Sequence, residues 1–251
     1  MARLDGKVAL VTGSGRGLGR ECARIFAQKG ACVAVVDIRE EGGEETVEII
    51  RKAGGEAAFV QADVSNAESV QAMVRKTVET FGSLDCAVNN AIRDIRYKPL
   101  AEISEEDWKD SIGVNLTGVF LCMKYEIRQM LEQGAGAIVN VGSGNEHGCA
   151  SGLSWYFAAK HGIYGLTKCA ALDYGAKGIR VNAVGPGVML TEPTKRAIED
   201  PRIKEFMLGK CPLGRIAEPE EVAAAAVWLC TSEASMVQGH TLVADGGAVL
   251  T

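Results

Sequence analysis

The 251-residue chain has no block of basic residues, no long hydrophobic run and no CxxC pair. With a net charge of -5, it is not expected to bind nucleic acid. No apolar run approaches the roughly 20 residues of a membrane span, and the start, MARLDGKVALVTG, lacks the pattern of a secretory signal. We therefore expect no membrane partner and a cytoplasmic protein that acts on a small molecule.

Cysteine is present but follows no ligand pattern. The eight cysteines are scattered, and most lie inside apolar segments, which is typical of buried free thiols in a reducing compartment. The spacing of a zinc site is missing, so no metal is predicted. For Cys149 a redox thiol and a buried or incidental thiol are the two interpretations.

Short β-branched runs alternate with helical patterns along the whole chain, without a break in composition. Strands are predicted at Val8–Val11, Cys32–Val36, Ala57–Gln61, Leu84–Val88, Ala137–Val141, Arg180–Val184 and Thr241–Val243. Helices are predicted at Gly17–Gly30, Glu41–Ala53, Ala67–Phe81, Glu105–Gln133, Trp155–Lys177 and Glu220–Thr231. Short, continuously apolar strands suit a parallel sheet that is covered on both faces. Residues 1–251 are therefore predicted to form one α/β domain, either a doubly wound parallel sheet or a (β/α)8 barrel.

The segment 188–212 departs from this alternation. Its apolar residues, among them Met189 and Phe206, lie among charged residues. A core would exclude the charges, and a plain loop would not need the apolar side chains. A mobile substrate lid is the favoured interpretation, and a helical excursion on the surface is the alternative.

A glycine-rich turn, TGSGRGLG at residues 12–19, follows the first predicted strand and opens the first predicted helix. Glycines in this position allow a tight turn and close approach of the backbone to a pyrophosphate, which the helix N-terminus attracts. The motif in this context predicts a dinucleotide-binding Rossmann fold and argues against the barrel.

Asp37 ends the second predicted strand at the distance expected for an acid that binds the adenosine ribose hydroxyls. A carboxylate in this place would repel a 2′-phosphate, so NAD is the predicted cofactor. Arg16 and Arg39 are both placed to pair with such a phosphate, which keeps NADP as the alternative.

Tyr156 and Lys160 are four residues apart in WYFAAK, and Ser143 lies thirteen residues before the tyrosine. On a helix, side chains at i and i+4 share one face. A nearby ammonium is expected to lower the pKa of a phenol, as an acid or base acting on an alcohol oxygen near neutral pH requires. The pair alone is weak evidence, because most such pairs belong to an ordinary helix face.

In combination, these motifs resemble the short-chain dehydrogenase/reductase family over nearly the whole chain. The matching segments are TGSGRGLG, Asp63-Val64, NNA at 89–91, Asn115 in VNLTGVF, Ser143, YFAAK, and VNAVGPG followed by Thr191. The resemblance implies that Tyr156 is the general acid/base and that Lys160 binds the nicotinamide ribose. It also implies that Ser143 binds the substrate oxygen and that Asn115 holds a relay water.

The resemblance further implies a set of cofactor-binding residues. They are Gly13, Arg16, Gly17, Leu18, Gly19, Asp37, Ile38, Asp63, Val64, Asn89, Ala91, Tyr156, Lys160, Pro186, Gly187, Val188 and Thr191. Two positions depart from the family pattern: Ile92 replaces the usual glycine after NNA, and Gly142 precedes the catalytic serine. A branched residue does not easily adopt positive φ, so the loop at Ile92 is expected to be rerouted.

The substrate pocket is expected at the carboxyl ends of the strands. Its predicted walls are Ile92–Arg96, Asn145–His147, Gly152–Trp155 and the lid, with contacts from Arg93, Asn145, His147, Trp155 and Met189. A surface-loop position is the alternative for His147. For Arg93 and Arg96, contact with an anionic substrate and simple solvation are the two interpretations.

The predicted activity is hydride transfer between a nicotinamide cofactor and a secondary alcohol or ketone. The leading alternative is NADPH-dependent reduction of a 3-oxoacyl thioester. A cofactor-binding regulatory or scaffold protein without turnover is the alternative from another class. The family resemblance also implies a homotetramer formed through the long helices at Glu105–Gln133 and Trp155–Lys177 and the C-terminal segment.

Overall fold

Seven parallel strands form one sheet in the order β3-β2-β1-β4-β5-β6-β7 in the computed structural model, which describes residues 3–93, 96–144 and 148–250. The strands are β1 Val8–Thr12, β2 Cys32–Asp37, β3 Glu56–Gln61, β4 Cys86–Asn89, β5 Gly136–Val141, β6 Ile179–Pro186 and β7 Thr241–Ala244. The sheet is open, with β3 and β7 at its edges. The predicted doubly wound sheet is thus confirmed, and the barrel is excluded.

Nine α-helices are described between and after the strands. They are α1 Gly17–Gln28, α2 Glu40–Lys52, α3 Ala67–Phe81, α4 Glu105–Ile112, α5 Gly118–Gln133, α6 Ser154–Tyr174, α7 Glu192–Ala197, α8 Pro201–Gly209 and α9 Pro219–Cys230. The single helical stretch expected at Glu105–Gln133 is instead two helices, α4 and α5, joined by a π-helical turn at Gly113–Thr117. Periodicity does not distinguish that turn from helix, because one extra residue in a turn hardly changes an apolar pattern.

Both faces of the sheet are covered, as the continuous apolar strands require. One cluster of buried side chains packs the sheet against α1, α2 and α9. The other packs it against α3, α5 and α6. The order of strands reverses between β1 and β4, so the carboxyl ends of these two strands open a crevice, where ligands bind in sheets of this kind.

The segment 188–212 forms an excursion that contains α7 and α8. Its start is held by a parallel bridge between Met189 and Ala217. Ile203 and Phe206 are exposed apolar residues on α8. The segment therefore has helical structure with uncovered apolar side chains, and the mobility expected of a lid stays a prediction.

Within the described part of the chain, no helix has both the length and the apolar character needed to cross a membrane. All eight cysteines are free thiols. Cys22, Cys86, Cys122 and Cys230 are buried as expected, but Cys32 and Cys211 are only partly buried, and Cys149 and Cys169 are exposed.

Candidate active site

The glycine-rich turn connects the end of β1 to the start of α1. Gly13 and Gly17 have φ values of 64° and 56°, in the left-handed region that favours glycine. A Cβ on Gly19 would lie 2.3 Å from the Gly13 carbonyl oxygen, so a side chain there would push the helix away from the turn. No side chain caps α1, and its first turn has no acidic residue, which leaves its N-terminal amides available to an anion.

Asn90 and Thr12 hold this turn, although the sequence did not single them out. The Asn90 side chain donates to the carbonyl oxygens of Thr12 and Gly13, both at 3.0 Å. The Thr12 hydroxyl accepts from the main-chain amides of Asn90 and Ala91 at 3.0 and 3.1 Å. The second asparagine of NNA was the available signal, because an amide that follows a strand directly beside the glycine turn can bond to that turn's exposed backbone.

Asp37 is 7% exposed at the end of β2 and contacts the same turn. Its carboxylate accepts from the amide of Gly15 at 2.9 Å and from that of Arg39 at 3.0 Å. A Cβ on Gly15 would lie 2.8 Å from an Asp37 oxygen. The acid therefore lies against the turn, where a ribose beside the pyrophosphate would meet it, and the exposed Ile38 follows it.

The wall of the crevice on the β3 and β4 side is apolar. Val64 and Ala91 line a small recess together with Thr12 and Val114. Asp63 turns its carboxylate to the amide and hydroxyl of Ser65. The side chain of Leu18 is buried in the core beneath the turn, so only its backbone is available to a ligand.

The opposite wall follows β6. Pro186 is the last residue of that strand, and the Gly187 amide donates to the Ala244 carbonyl oxygen at 3.2 Å. Val188 is exposed, and Thr191 is the residue immediately before α7. A Cβ on Gly17 would lie 3.9 Å from the Thr191 side chain, so the start of α7 faces the glycine turn across the crevice.

Asn115 lies in the π-helical turn between α4 and α5 and is 3% exposed. Its side-chain oxygen accepts from the main-chain amide of Arg93 at 2.8 Å, and its amide donates to Ser111 at 3.2 Å. Both bonds use the side chain. Its main chain lies in the π-helical turn, where the helical hydrogen bonds follow the i→i+5 pattern.

Tyr156, Lys160 and Ser143 meet where α6 crosses the end of β5. The Lys160 Nζ donates to the Val141 carbonyl oxygen at 2.7 Å and lies 5.8 Å from the centre of the Tyr156 ring. The Ser143 side chain is hydrogen-bonded to Tyr156. The structure thus brings together the three groups that the spacing in the sequence singled out.

The pKa values of the pair differ from the sequence expectation. Burial raises the pKa of Tyr156 above its ordinary value, while the Ser143 hydrogen bond acts to lower it. Burial lowers the pKa of Lys160 to about 8. In the protein alone, desolvation therefore outweighs the attraction between phenol and ammonium, because the lysine is directed at a main-chain carbonyl and not at the phenol oxygen.

Asn89 ends β4, but its side chain does not face the crevice. It donates to Glu126 of α5 and to Asn140 of β5, both at 3.0 Å, inside the protein. Glu126 is fully buried, and burial raises its pKa to about 7. A cofactor contact from Asn89 can therefore come from its main chain but not from its amide.

The predicted substrate residues lie in different surroundings, and some of them make contacts within the protein. Trp155 is buried and donates its indole N–H to the Arg96 carbonyl oxygen at 3.0 Å, so it holds the loop after β4. The Arg93 guanidinium lies 2.7 Å from Asp110, and Met189 packs on the core beside α1. Asn145 and His147, with the rest of Asn145–His147, lie outside the described residues.

Tyr97 is a site residue that the sequence did not reveal. It is 77% exposed on the loop after β4 and interacts electrostatically with the Tyr156 phenol. A Cβ on Gly152, which lies just before α6, would be 3.6 Å from the Tyr97 Cβ. Ile92, on the same loop, is not in the left-handed region, so the loop avoids the conformation that a glycine would allow.

The fold and these residues define an oxidoreductase that uses a dinucleotide. A family model described as enoyl-(acyl carrier protein) reductase matches residues 13–249. A short chain dehydrogenase/reductase of Aspergillus oryzae is 44% identical over 98% of this chain and 96% of its own length. The chain belongs to the short-chain dehydrogenase/reductase family, as its motifs predicted.

Other relatives act on ring alcohols, as their names state. A 2,5-dichloro-2,5-cyclohexadiene-1,4-diol dehydrogenase of Sphingobium indicum is 44% identical, with 98% of each chain covered. A cyclohexanol dehydrogenase of an Acinetobacter species is 42% identical over 97% of this chain and 95% of its own.

Solved structures of other proteins have the same fold as this chain over its full length. A putative short-chain alcohol dehydrogenase of Sinorhizobium meliloti has a TM-score of 0.95 and 35% identity, covering 99% of this chain and 98% of its own. A putative 2-deoxy-D-gluconate 3-dehydrogenase of Agrobacterium tumefaciens with bound NADP has a TM-score of 0.92 and 35% identity, with the same coverage. The protein is an oxidoreductase that moves hydride between a nicotinamide cofactor and a secondary alcohol or ketone.

Proposed function

We propose that this protein is an NAD-preferring dehydrogenase of ring alcohols, with Tyr156 as general acid/base. The observation that carries the proposal is the meeting of Tyr156, Lys160 and Ser143 at the end of β5, beside the crevice lined by the glycine turn. A bound nicotinamide supplies the hydride chemistry. The chain itself must move one proton on or off the substrate oxygen.

The fit of a dinucleotide to this crevice is supported by the turn itself. Side chains at Gly13 and Gly19 would collide with neighbouring backbone, so the turn keeps its amides accessible. The uncapped N-terminus of α1 suits a pyrophosphate. On the other wall, Val188 and Thr191 are placed to border the nicotinamide end.

Ser143 and Tyr156 are proposed to hold the substrate oxygen between their hydroxyls. During alcohol oxidation the phenolate of Tyr156 takes the hydroxyl proton, and in the reverse direction the phenol returns it. Ser143 stabilises the charge that develops on that oxygen. Lys160 is proposed to bind the nicotinamide ribose and to favour the phenolate.

The raised pKa of Tyr156 in the protein alone has a consequence for this scheme. Because burial opposes ionisation, a positive charge must face the phenol when it acts as a base. The ammonium of Lys160 and an oxidised nicotinamide are the two cations that the proposal places there. We therefore infer that Tyr156 becomes an effective base only when the oxidised cofactor is bound.

The preference for NAD is proposed from Asp37. Its carboxylate is buried against the turn, where a 2′-phosphate would meet a second negative group. A related structure holds NADP, so the preference needs a direct test. We expect Asp37→Asn to reduce the ratio of kcat/KM for NAD to that for NADP by about tenfold, or roughly 1.4 kcal/mol. Glu41→Asn, an exposed acid on α2, is the matched control.

The ring-alcohol class is proposed from the relatives and from the pocket entrance. Tyr97 offers an aromatic surface beside Tyr156, and Trp155 fixes the loop that carries it. Aromatic and apolar walls suit a carbocyclic substrate. The opening therefore favours a cyclohexanol-like molecule over an anionic one.

Reduction of a 3-oxoacyl thioester on an acyl carrier is the second candidate, favoured by the description of the matching family model. Acyl carrier proteins are acidic, and a docking surface for one needs unpaired cations. Here Arg93 pairs with Asp110 and Lys98 with Asp107, and α4 begins with three acidic residues. This charge arrangement favours the small alcohol.

The excursion at residues 188–212 is proposed to act as a lid. The exposed apolar side chain of Phe206 on α8 supports this proposal.

The protein is also proposed to be a homotetramer. Leu172 on α6 is 85% exposed and Leu250 at the C-terminal end is 84% exposed, which supports burial by a partner subunit. A monomer in sedimentation velocity would contradict the tetramer.

The experiment that tests the proposed function is a spectrophotometric screen of ring alcohols, linear polyols and 3-oxoacyl thioesters with both cofactors. We expect turnover of a ring alcohol with NAD, and none with Tyr156→Phe. Equal activity of that variant would contradict the mechanism, and thioester turnover alone would favour the second candidate. Tight NADH binding without turnover of any compound would favour a regulatory protein.

A further inference from the structure

A second tyrosine of α6, Tyr164, holds both main-chain polar groups of Ser143. The Ser143 amide donates to the Tyr164 hydroxyl at 2.7 Å, and that hydroxyl donates to the Ser143 carbonyl oxygen in a short hydrogen bond. Tyr164 is 5% exposed, so the phenol reaches Ser143 from inside the protein. Its bonds are to the backbone, which leaves the serine side chain available to Tyr156.

The sheet explains why Ser143 needs such a partner. On one side, the amides of the flanking Gly142 and Gly144 donate to carbonyl oxygens of β6 at 2.8 and 2.6 Å. On the other side, β4 ends at Asn89, opposite Asn140, and does not extend as far as Ser143. The Ser143 amide and carbonyl therefore lie beyond the neighbouring strand, and the Tyr164 phenol satisfies both.

Gly142 provides the space for this phenol. A Cβ on Gly142 would lie 2.6 Å from the Tyr164 hydroxyl oxygen and 2.7 Å from a ring carbon. Gly142 is not among the residues with positive φ, so its backbone does not require glycine. The glycine that departs from the family pattern at this position is explained by the tyrosine behind it.

Tyr156, Lys160 and Tyr164 lie at i, i+4 and i+8 of α6 and so form one row on the helix. Lys160 donates to the Val141 carbonyl and Tyr164 holds Ser143, so this row fixes the end of β5 at two points. We propose that Tyr164 is a positioning residue that sets Ser143 against Tyr156, with Gly142 as its matched partner. The inference rests on the proposed function, in which Ser143 binds the substrate oxygen.

The test begins with Tyr164→Phe, which removes the hydroxyl and keeps the ring. With a ring alcohol that wild type oxidises, we expect kcat to fall by about tenfold or more, since misplacing a catalytic group by a fraction of an ångström is costly. The KM for NAD should not change. Tyr174→Phe, at the far end of the same helix, is the matched control and should retain full kcat.

The pH profile separates positioning from a general loss of structure. Because the Ser143 bond lowers the pKa of Tyr156, a displaced serine should shift the basic group in the kcat/KM profile for alcohol oxidation to higher pH. A kcat and pH profile equal to wild type would overturn the proposal. The proposal would also be overturned if adding Tyr164→Phe to Ser143→Ala lowered kcat as much as adding it to wild type. Tyr164 would then act through another group.

Gly142→Ala gives an independent test if Tyr164→Phe is poorly folded. In wild type the added methyl group should collide with the phenol and lower kcat by about tenfold. In a Tyr164→Leu background the collision is gone, and the same substitution should cost little. Equal losses in both backgrounds would overturn the pairing. Ser143→Ala and Tyr156→Phe report separately on the proposed function. Tyr156→Phe should abolish turnover and Ser143→Ala should reduce it to a small but measurable rate, whether or not Tyr164 positions the serine.

Discussion

The Glu126 carboxylate of α5 accepts a hydrogen bond from the Asn89 side chain of β4 at 3.0 Å, and its second oxygen has no partner among the described residues. Glu126 is fully buried. A charge held by one neutral hydrogen bond in such surroundings is costly, so the acid holds its proton more strongly in the folded protein than in the unfolded chain.

This relationship predicts a pH-dependent stability term. The pKa of Glu126 is about 7 in the folded state and 4.5 ordinarily. Its contribution to the free energy of unfolding is therefore full below pH 4.5 and is lost as the pH rises through 7. Glu126→Gln removes the titration and keeps the shape. We expect the unfolding free energy of Glu126→Gln, relative to wild type, to increase by about 3 kcal/mol between pH 4.5 and 7.5.

Denaturant unfolding across this pH range measures the effect. Glu132→Gln, an exposed acid on the same helix, is the control and should follow wild type at every pH. If the Glu126→Gln and wild-type curves also run parallel, Glu126 does not titrate in this range.

The glycine turn gives a prediction for cofactor binding. Gly19→Ala would place a methyl group 2.3 Å from the Gly13 carbonyl and 2.5 Å from the Asn90 amide, so the turn must open. We expect the Kd for NADH, measured by fluorescence titration, to increase by about tenfold or more. Gly209→Ala, which meets nothing within 4 Å, is the control. An unchanged Kd for Gly19→Ala would show that the pyrophosphate does not depend on this turn.

The fold was predictable from the sequence because β/α alternation and one glycine turn leave few topologies. The chemistry of the site was predictable because Tyr156, Lys160 and Ser143 lie at spacings that a helix and a preceding strand bring together. What the sequence could not predict was the direction of side chains and the depth of burial. The Asn89 side chain points into the core although the residue borders the crevice, and the effect of burial on the pKa of Tyr156 exceeds that of Lys160.

Other site residues were missed because their partners are distant in sequence. Tyr164 lies 21 residues after Ser143, and its role depends on where β4 ends and on the missing side chain of Gly142. Tyr97 depends on the path of a loop. The i+8 spacing places Tyr164 on the helix face of Tyr156 but does not reveal its partner Ser143, and Tyr97 belongs to no periodic pattern or local motif. Tertiary structure was therefore required to find their roles.

Trp155 gives a prediction for substrate specificity. Its indole N–H bonds to the Arg96 carbonyl at 3.0 Å, beside Tyr97. Trp155→Phe leaves that carbonyl without this donor and should cost about 1 kcal/mol of stability. Because the loop that carries Tyr97 loosens, we expect the KM for a ring alcohol to rise about fivefold, with a smaller change in kcat. Trp108→Phe, on α4, is the control, and an equal KM for Trp155→Phe and wild type would contradict the assignment.

Lys160 is expected to oppose stability while it supports activity. Its pKa is about 8 in the folded protein against 10.5 ordinarily, because burial disfavours the ammonium. The unfolded chain therefore holds this proton more strongly, and the cost of burying the charge is full below pH 8 and disappears towards pH 10.5. Lys160→Met removes that charge but also the bond to the Val141 carbonyl.

At pH 7 we expect Lys160→Met to unfold with a free energy about 2 kcal/mol higher than wild type, once the lost hydrogen bond is subtracted. Its kcat should fall by about 100-fold or more. The stability gain should shrink by about 2 kcal/mol between pH 8 and 9.5 as wild-type Lys160 loses its proton. Lys76→Met, at an exposed lysine on α3, should show neither effect. If Lys160→Met instead loses both stability and activity at pH 7, Lys160 is held by stronger interactions than its bond to Val141. The buried charge would then stabilise the folded protein as well as support catalysis.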